Sequence, residues 1–113
     1  ILFTYELARR LQGTGVTANC VAPGIVATNF GANNGGLMAF FSRATHFIAR
    51  TPEKGAETSI YLASSPLVED VTGKYFFDKA EKKSSKESYD ATIARRLWEV
   101  SAQMTNSTMI STV

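Results

Sequence analysis

The sequence predicts an α/β fold, a mostly parallel sheet flanked by helices, and three observations carry that expectation. Residues 1–12 have a helical apolar period that gives way, through Gly13-Thr14-Gly15, to an apolar strand over 16–22. Helix, short loop and apolar strand form the second half of a βαβ unit. That strand ends abruptly in Pro23-Gly24, with Thr28 shortly after. A rigid turn and a hydroxyl are thereby delivered to the carboxyl end of a strand, where open α/β sheets bind ligands. The same order then recurs, with a helix opening at Thr51-Pro52-Glu53 and a second strand over 71–77.

Each element has its own warrant. In the first helix Phe3, Leu7 and Leu11 recur every four residues and make one apolar stripe, with Glu6, Arg9 and Arg10 off it. Gly13 is the expected C-cap. Along the first strand Val16, Ala18, Cys20 and Ala22 share one face and Val21 the other, a pattern for a strand covered on both sides. Residues 31–36 are polar and glycine-rich and read as a loop. Residues 37–48 read as a helical insertion with a large apolar face. Thr51 is a good N-cap, Pro52 suits the first turn, and Glu53 favours the positive end of the helix dipole. This helix runs to about Ser64, and Pro66 stops it. Gly73 splits the second strand, and residues 78–85 form a charged connector. The last helix is expected to start near Ser84, with Glu87 completing a capping box. Its buried stripe is Tyr89, Ile93, Leu97 and Met104, and residues 105–113 make a frayed tail.

Composition narrows the function classes. The chain has 113 residues, 44% hydrophobic and 19% charged, with a net charge of +2. Nothing suggests a phosphate-tracking basic face, so no nucleic-acid partner is expected. Lys79, Lys82, Lys83 and Lys86 alternate with Asp78, Glu81 and Glu87 and read as a solvated connector. The single Cys20 excludes an internal disulfide, and as a mid-strand residue it reads as a small hydrophobe. His46, the one histidine, has no second ligand spaced with it, so no metal is expected. No apolar run approaches the roughly 18 residues of a membrane span, and no signal peptide is visible at Ile1. The chain opens inside a helical pattern without a Met, and is therefore read as the C-terminal part of a larger enzyme. A cytosol-facing soluble or peripheral protein is compatible with these features.

The landmarks, in their order, resemble the C-terminal half of a short-chain dehydrogenase/reductase of the retinol dehydrogenase-like subgroup. The resemblance rests on Ile1-Leu2-Phe3-Thr4-Tyr5-Glu6-Leu7-Ala8-Arg9-Arg10-Leu11, on Gly13-Thr14-Gly15-Val16-Thr17, and on Pro23-Gly24 with Thr28. It continues in Thr51-Pro52-Glu53-Lys54-Gly55-Ala56, Tyr61-Leu62-Ala63, Gly73-Lys74-Tyr75-Phe76 and Ala94-Arg95-Arg96-Leu97-Trp98-Glu99. A lone Pro-Gly is weak, whereas the ordered set is specific and covers nearly the whole chain.

The resemblance implies the C-terminal part of a Rossmann-type doubly wound sheet and an NAD(P)-dependent oxidoreductase, with NADP slightly preferred. The substrate would be an apolar alcohol or carbonyl compound. The Pro23-Gly24 turn would flank the nicotinamide, the backbone at Ile25 would meet the carboxamide, and Thr28 would hydrogen-bond the carboxamide or phosphate region. Residues 30–48 would cover the substrate, with Phe30, Phe40, Phe41 and Phe47 as lid residues. For the apolar stripe of Phe40, Phe41, Phe47 and Ile48, core packing, a substrate wall and membrane-surface contact all remain open. The implied organisation is a single fragment: residues 1–30 for helix, strand and cofactor turn, 31–50 for the lid, 51–104 for helix, strand and helix, and 105–113 for the tail.

The departures from the family are large. Its Gly-rich dinucleotide turn, catalytic Ser and Tyr-x-x-x-Lys are absent, so no catalytic residue is assigned and the chain alone is expected to be inactive. Tyr75 and Lys79 match Tyr-x-x-x-Lys literally. The chemistry needs Lys one helical turn away, roughly 6 Å along the axis, whereas four residues of a strand span roughly 13 Å. Tyr5 and Arg9 have helical spacing, but an Arg cannot lose its proton. The competing reading is a stand-alone degenerate chain without catalysis, an interaction module or a remnant.

Overall fold

The computed structural model describes residues 1–24 and 50–107, which form three α-helices, short 3-10 turns and a small sheet. Helix α1 (Leu2–Arg10) ends at Leu11, whose carbonyl accepts from both the backbone N–H and the hydroxyl of Thr14. Gly13 lies two residues beyond the cap at φ +80°, so the expected glycine cap is displaced into the turn. The buried residues of α1 are Tyr5, Glu6 and Ala8, not the stripe of Phe3, Leu7 and Leu11. The helix has two neighbours, which explains the difference. Ala8 faces Gly73 ahead of the second strand, while Phe3 stacks on Trp98 of the last helix with centroids 4.8 Å apart.

The sheet has three strands in the order β1 (Cys20–Val21), β2 (Tyr75–Phe77) and β3 (Ala80–Lys82). β1 pairs with β2 in parallel, Cys20 opposite Tyr75 and Val21 opposite Phe76. Both strands are shorter than the apolar runs predict, because ahead of them side-chain bonds of Thr72 and Asn19 alternate with a single backbone bond, Gly73 N–H to Ala18 O at 2.8 Å. The Ala18 N–H donates to the Thr72 hydroxyl at 3.0 Å. Asn19 donates to the Val71 carbonyl at 2.6 Å and accepts from the Lys74 N–H at 3.0 Å. The regular ladder resumes with Cys20 N–H to Lys74 O and Ala22 N–H to Phe76 O, each 3.0 Å.

The expected charged connector over 78–85 contains a strand instead. Asp78 and Lys79 both lie in the left-handed region, at φ 54° and 57°. That makes a tight two-residue turn whose twist matches a hairpin. β3 therefore returns antiparallel to β2, Phe77 opposite Ala80 and Tyr75 opposite Lys82. The sheet is mixed rather than a pair of parallel strands, and it forms a small part of the α/β architecture expected.

Helix α2 (Pro52–Ser64) is built as its sequence predicts. The Thr51 hydroxyl accepts from the Lys54 N–H at 3.2 Å, Pro52 opens the helix, and a 3-10 turn at Pro66–Val68 follows its end. The last helix, α3 (Ala91–Met104), starts seven residues after the expected Ser84. Asp90 caps it, accepting from the N–H groups of Thr92 at 2.9 Å and Ile93 at 3.0 Å. Ser84 is already engaged: its hydroxyl bonds those of Tyr5 at 2.8 Å and Ser88 at 2.6 Å. Residues Lys86–Tyr89 form a 3-10 turn in place of the first helical turn.

The expected stripe of α3 is not buried. Tyr89, Ile93, Leu97 and Met104 are all exposed; α3 meets α1 through Trp98 on Phe3, and Tyr89, in the turn ahead of α3, stacks on Tyr5 with centroids 5.4 Å apart. Among the described residues the buried apolar ones are Tyr5, Ala8, Val68, Phe76 and Ala94, and no large side chain is wholly enclosed. No helix among the described residues is long and apolar enough to cross a membrane.

Candidate functional site

The parallel pairing of β1 and β2 sends both chains out at one end of the sheet. Pro23 and Gly24 follow β1 there, and Asp78 follows β2. Gly24 has φ +77°, a conformation that glycine adopts without steric cost. A Cβ added to it would lie 3.3 Å from Arg50 Nε and 3.6 Å from Phe77 Cε2. Space on that side of the turn is closed by protein.

Arg50, which the sequence reading did not single out, organises this corner. Its guanidinium lies over the Phe77 ring, 4.9 Å from the centroid. Both terminal nitrogens donate to the Asp78 carboxylate, Nη1 to Oδ1 and Nη2 to Oδ2, the latter at 2.8 Å. The forked, planar geometry is the one in which Arg and carboxylate match best. The Arg50 hydrogen bond holds the Asp78 carboxyl below its usual range, and the carboxylate in turn raises the Arg50 pKa. Arg50 directly precedes the Thr51 cap, so the start of α2, the turn after β1 and the turn after β2 meet at one point.

The remaining predicted site residues, Ile25, Thr28, Phe30, Phe40, Phe41 and Phe47, lie outside the described residues, as do His46 and the expected loop and helical insertion. Pro23 and Gly24 are the two that the structure places, both at the carboxyl end of β1. Two shallow clefts of about 250 Å³ each lie elsewhere, between α1 and the Thr72 segment. They open at the amino ends of the strands, opposite the Pro23-Gly24 turn.

No protein-family model matches the chain. Over 107 residues it is 49% identical to Retinol dehydrogenase 14 of Homo sapiens, an alignment covering 92% of this chain and 32% of that protein. Retinol dehydrogenase 13 of Homo sapiens is 41% identical over 109 residues, 92% of this chain and 33% of its own length. Short-chain dehydrogenase TIC 32 A, chloroplastic, of Brassica napus is 36% identical over 109 residues, 95% of this chain and 34% of its own. The chain's homologues are retinol dehydrogenases of the short-chain dehydrogenase family. The chain corresponds to the C-terminal part of these relatives and spans about a third of their length, 32% to 34%.

In this retinol dehydrogenase-like segment neither look-alike pair has catalytic geometry. Tyr75 lies on β2 and Lys79 in the hairpin turn, where Lys79 Nζ bonds Glu57 at 3.0 Å. Tyr5 and Arg9 share α1, but the Tyr5 hydroxyl is held by Ser84 and Arg9 by Glu6 at 2.7 Å. Burial raises the Tyr5 pKa, the wrong direction for a base. Cys20 is half-buried, with its thiol 3.6 Å from the Lys74 carbonyl, as befits a strand hydrophobe. The signal that could have pointed to Arg50 was positional: a long cation immediately ahead of a helix N-cap, with an acidic residue closing the following strand.

Proposed function

We propose that this chain is the C-terminal portion of an NAD(P)-dependent oxidoreductase, in which it forms one wall of the nicotinamide site and the substrate lid. The observation that carries the proposal is the Pro23-Gly24 turn at the carboxyl end of a strand paired in parallel with its neighbour, in a chain 49% identical to a retinol dehydrogenase over 92% of its length. In open α/β sheets that end is the ligand crevice. The described residues suit the nicotinamide end of such a cofactor, because Gly24 bares its backbone while Arg50 and Phe77 back it. They include no Gly-rich turn for the pyrophosphate. When bound, the nicotinamide would supply or accept the hydride.

In this reading Pro23 and Gly24 orient the ring, the Ile25 backbone meets the carboxamide, and Thr28 donates to or accepts from the cofactor. Phe30, Phe40, Phe41 and Phe47 shield an apolar alcohol or carbonyl substrate from water. Retinol, named for the relatives, is the first compound to try. NADP is slightly preferred over NAD. Proton transfer falls to a Tyr, Lys and Ser carried outside this segment.

The exposed stripe of Tyr89, Ile93, Leu97 and Met104 supports a further covering layer in the whole protein. It also keeps the alternative alive, a non-catalytic module that docks on a partner. The test compares two proteins, the 113-residue chain and the full-length product of its reading frame. With NADH or NADPH and retinaldehyde or an aliphatic aldehyde, the full-length protein is expected to turn over and the chain alone to be inert. A reading frame with no Gly-rich βα turn and no Tyr-x-x-x-Lys upstream of Ile1 decides for the alternative. Turnover by the chain alone contradicts the assignment of acid–base chemistry elsewhere.

A further inference from the structure

The surroundings of Arg50 exceed what a surface ion pair needs. Its guanidinium is stacked on Phe77, forked onto Asp78, and its Nε stands 3.3 Å from where a Gly24 side chain would begin. These partners come from three separate places in the chain, the exits of β1 and β2 and the entry to α2. A surface pair that served only solubility would not gather an aromatic face and a left-handed glycine around it.

We infer that Arg50 is a positioning residue for the Pro23-Gly24 turn: held by Asp78 and Phe77, it backs the turn and fixes the direction in which its backbone faces the crevice. The inference rests on the reading of that turn as a nicotinamide wall. Two physical features make Arg suited to the task. Its planar fork can engage Asp78 at two points while its face stays on Phe77, which an ammonium cannot do. The side chain is also immobilised at both its middle and its end, so it supports Gly24 as a fixed surface.

The test uses the full-length protein, with cofactor dissociation constants for NADH and NADPH from titration and unfolding midpoints from the same preparations. Arg50→Met and Arg50→Lys are each expected to weaken cofactor binding about tenfold, the scale of a lost charge-assisted hydrogen bond. Asp78→Asn keeps the shape and suits the left-handed turn position, where Asn is tolerated. It should weaken binding several-fold while the unfolding midpoint stays put. The double variant Arg50→Met/Asp78→Asn should bind no worse than Arg50→Met alone, since both break one pair. Should Arg50→Met fail to fold, Asp78→Asn and Arg50→Lys carry the test. Unchanged affinity in Asp78→Asn, or wild-type affinity in Arg50→Lys, overturns the inference while leaving the nicotinamide reading intact. A wild-type protein that binds neither cofactor removes both.

Discussion

Replacing Gly73 by Ala should destabilise the protein more than replacing Gly13 by Ala, and the difference can be worked out from the geometry. Gly73 has φ +67° and Gly13 φ +80°. Forcing an L-residue into that region costs about 1–2 kcal/mol, while an Ala loses less chain entropy on folding, which returns about 0.4–1 kcal/mol. Both terms are common to the two sites and cancel in the comparison. What remains is contact. A Cβ at Gly13 meets nothing within 4 Å, whereas at Gly73 it lies 3.3 Å from the Ala8 Cβ. Ala8 is buried on α1 and has no side-chain torsion that moves its Cβ away, so the helix itself must shift. Overpacking of this kind costs about 1–3 kcal/mol. The assay is urea unfolding of the two variants of the full-length protein, read as midpoints at a common slope. Equal midpoints would refute the reasoning, and would mean that α1 and the Gly73 segment pack loosely enough to absorb a methyl group.

Three further outcomes follow from named contacts. Burial would raise the Glu6 pKa, but Arg9 and Arg10 outweigh it and hold the carboxyl below its usual value. Its stabilisation is therefore complete above the unfolded pKa of about 4.3 and is lost as pH falls through the folded value. The stability gap between wild type and Glu6→Gln should narrow on acidification below about pH 4.3, and a gap independent of pH would disprove the pairing. Trp98 stacks on Phe3 and lies 4.7 Å under the Arg10 guanidinium, so a double-mutant cycle of Trp98→Ala with Phe3→Leu should give a coupling of about 0.5–1.5 kcal/mol; none would mean that α3 docks by other contacts. In the full-length protein Thr28→Ala should weaken cofactor binding several-fold, as expected for one lost hydrogen bond of about 0.5–1.5 kcal/mol, with Cys20→Ala close to wild type by calorimetry. Equal binding by Thr28→Ala would remove its proposed role.

Where local chemistry decides an element, the sequence alone was enough. Thr51-Pro52-Glu53 opens α2, and Pro66 begins a new turn just past its end, because a cap hydroxyl and a missing N–H act within a few residues. The exit of β1 at Pro23-Gly24 was legible for the same reason, since a pyrrolidine and a left-handed glycine end a strand unaided. Family kinship was readable as well, because the ordered motifs survive without knowledge of any contact.

Contacts between distant residues were beyond such reading. Ser84 looked like a helix cap until Tyr5, 79 positions away, claimed its hydroxyl and left the cap to Asp90. Asp78-Lys79 looked like part of a charged connector, yet both residues lie in the left-handed region and make a hairpin with β2. Periodicity found an apolar stripe on α3 but could not say what covers it: Trp98 meets Phe3, Tyr89 of the stripe stacks on Tyr5, and Ile93, Leu97 and Met104 are exposed. For Arg50 the place ahead of the α2 cap was a weak signal that named no partner, since Gly24, Phe77 and Asp78 lie 26 to 28 residues away in the chain. The sequence by itself determined where α2 opens and stops and where β1 gives way to a turn, through groups that act on their own neighbours. Only the tertiary structure decided which faces are buried and which charges meet, because those energies depend on partners that chain order does not specify.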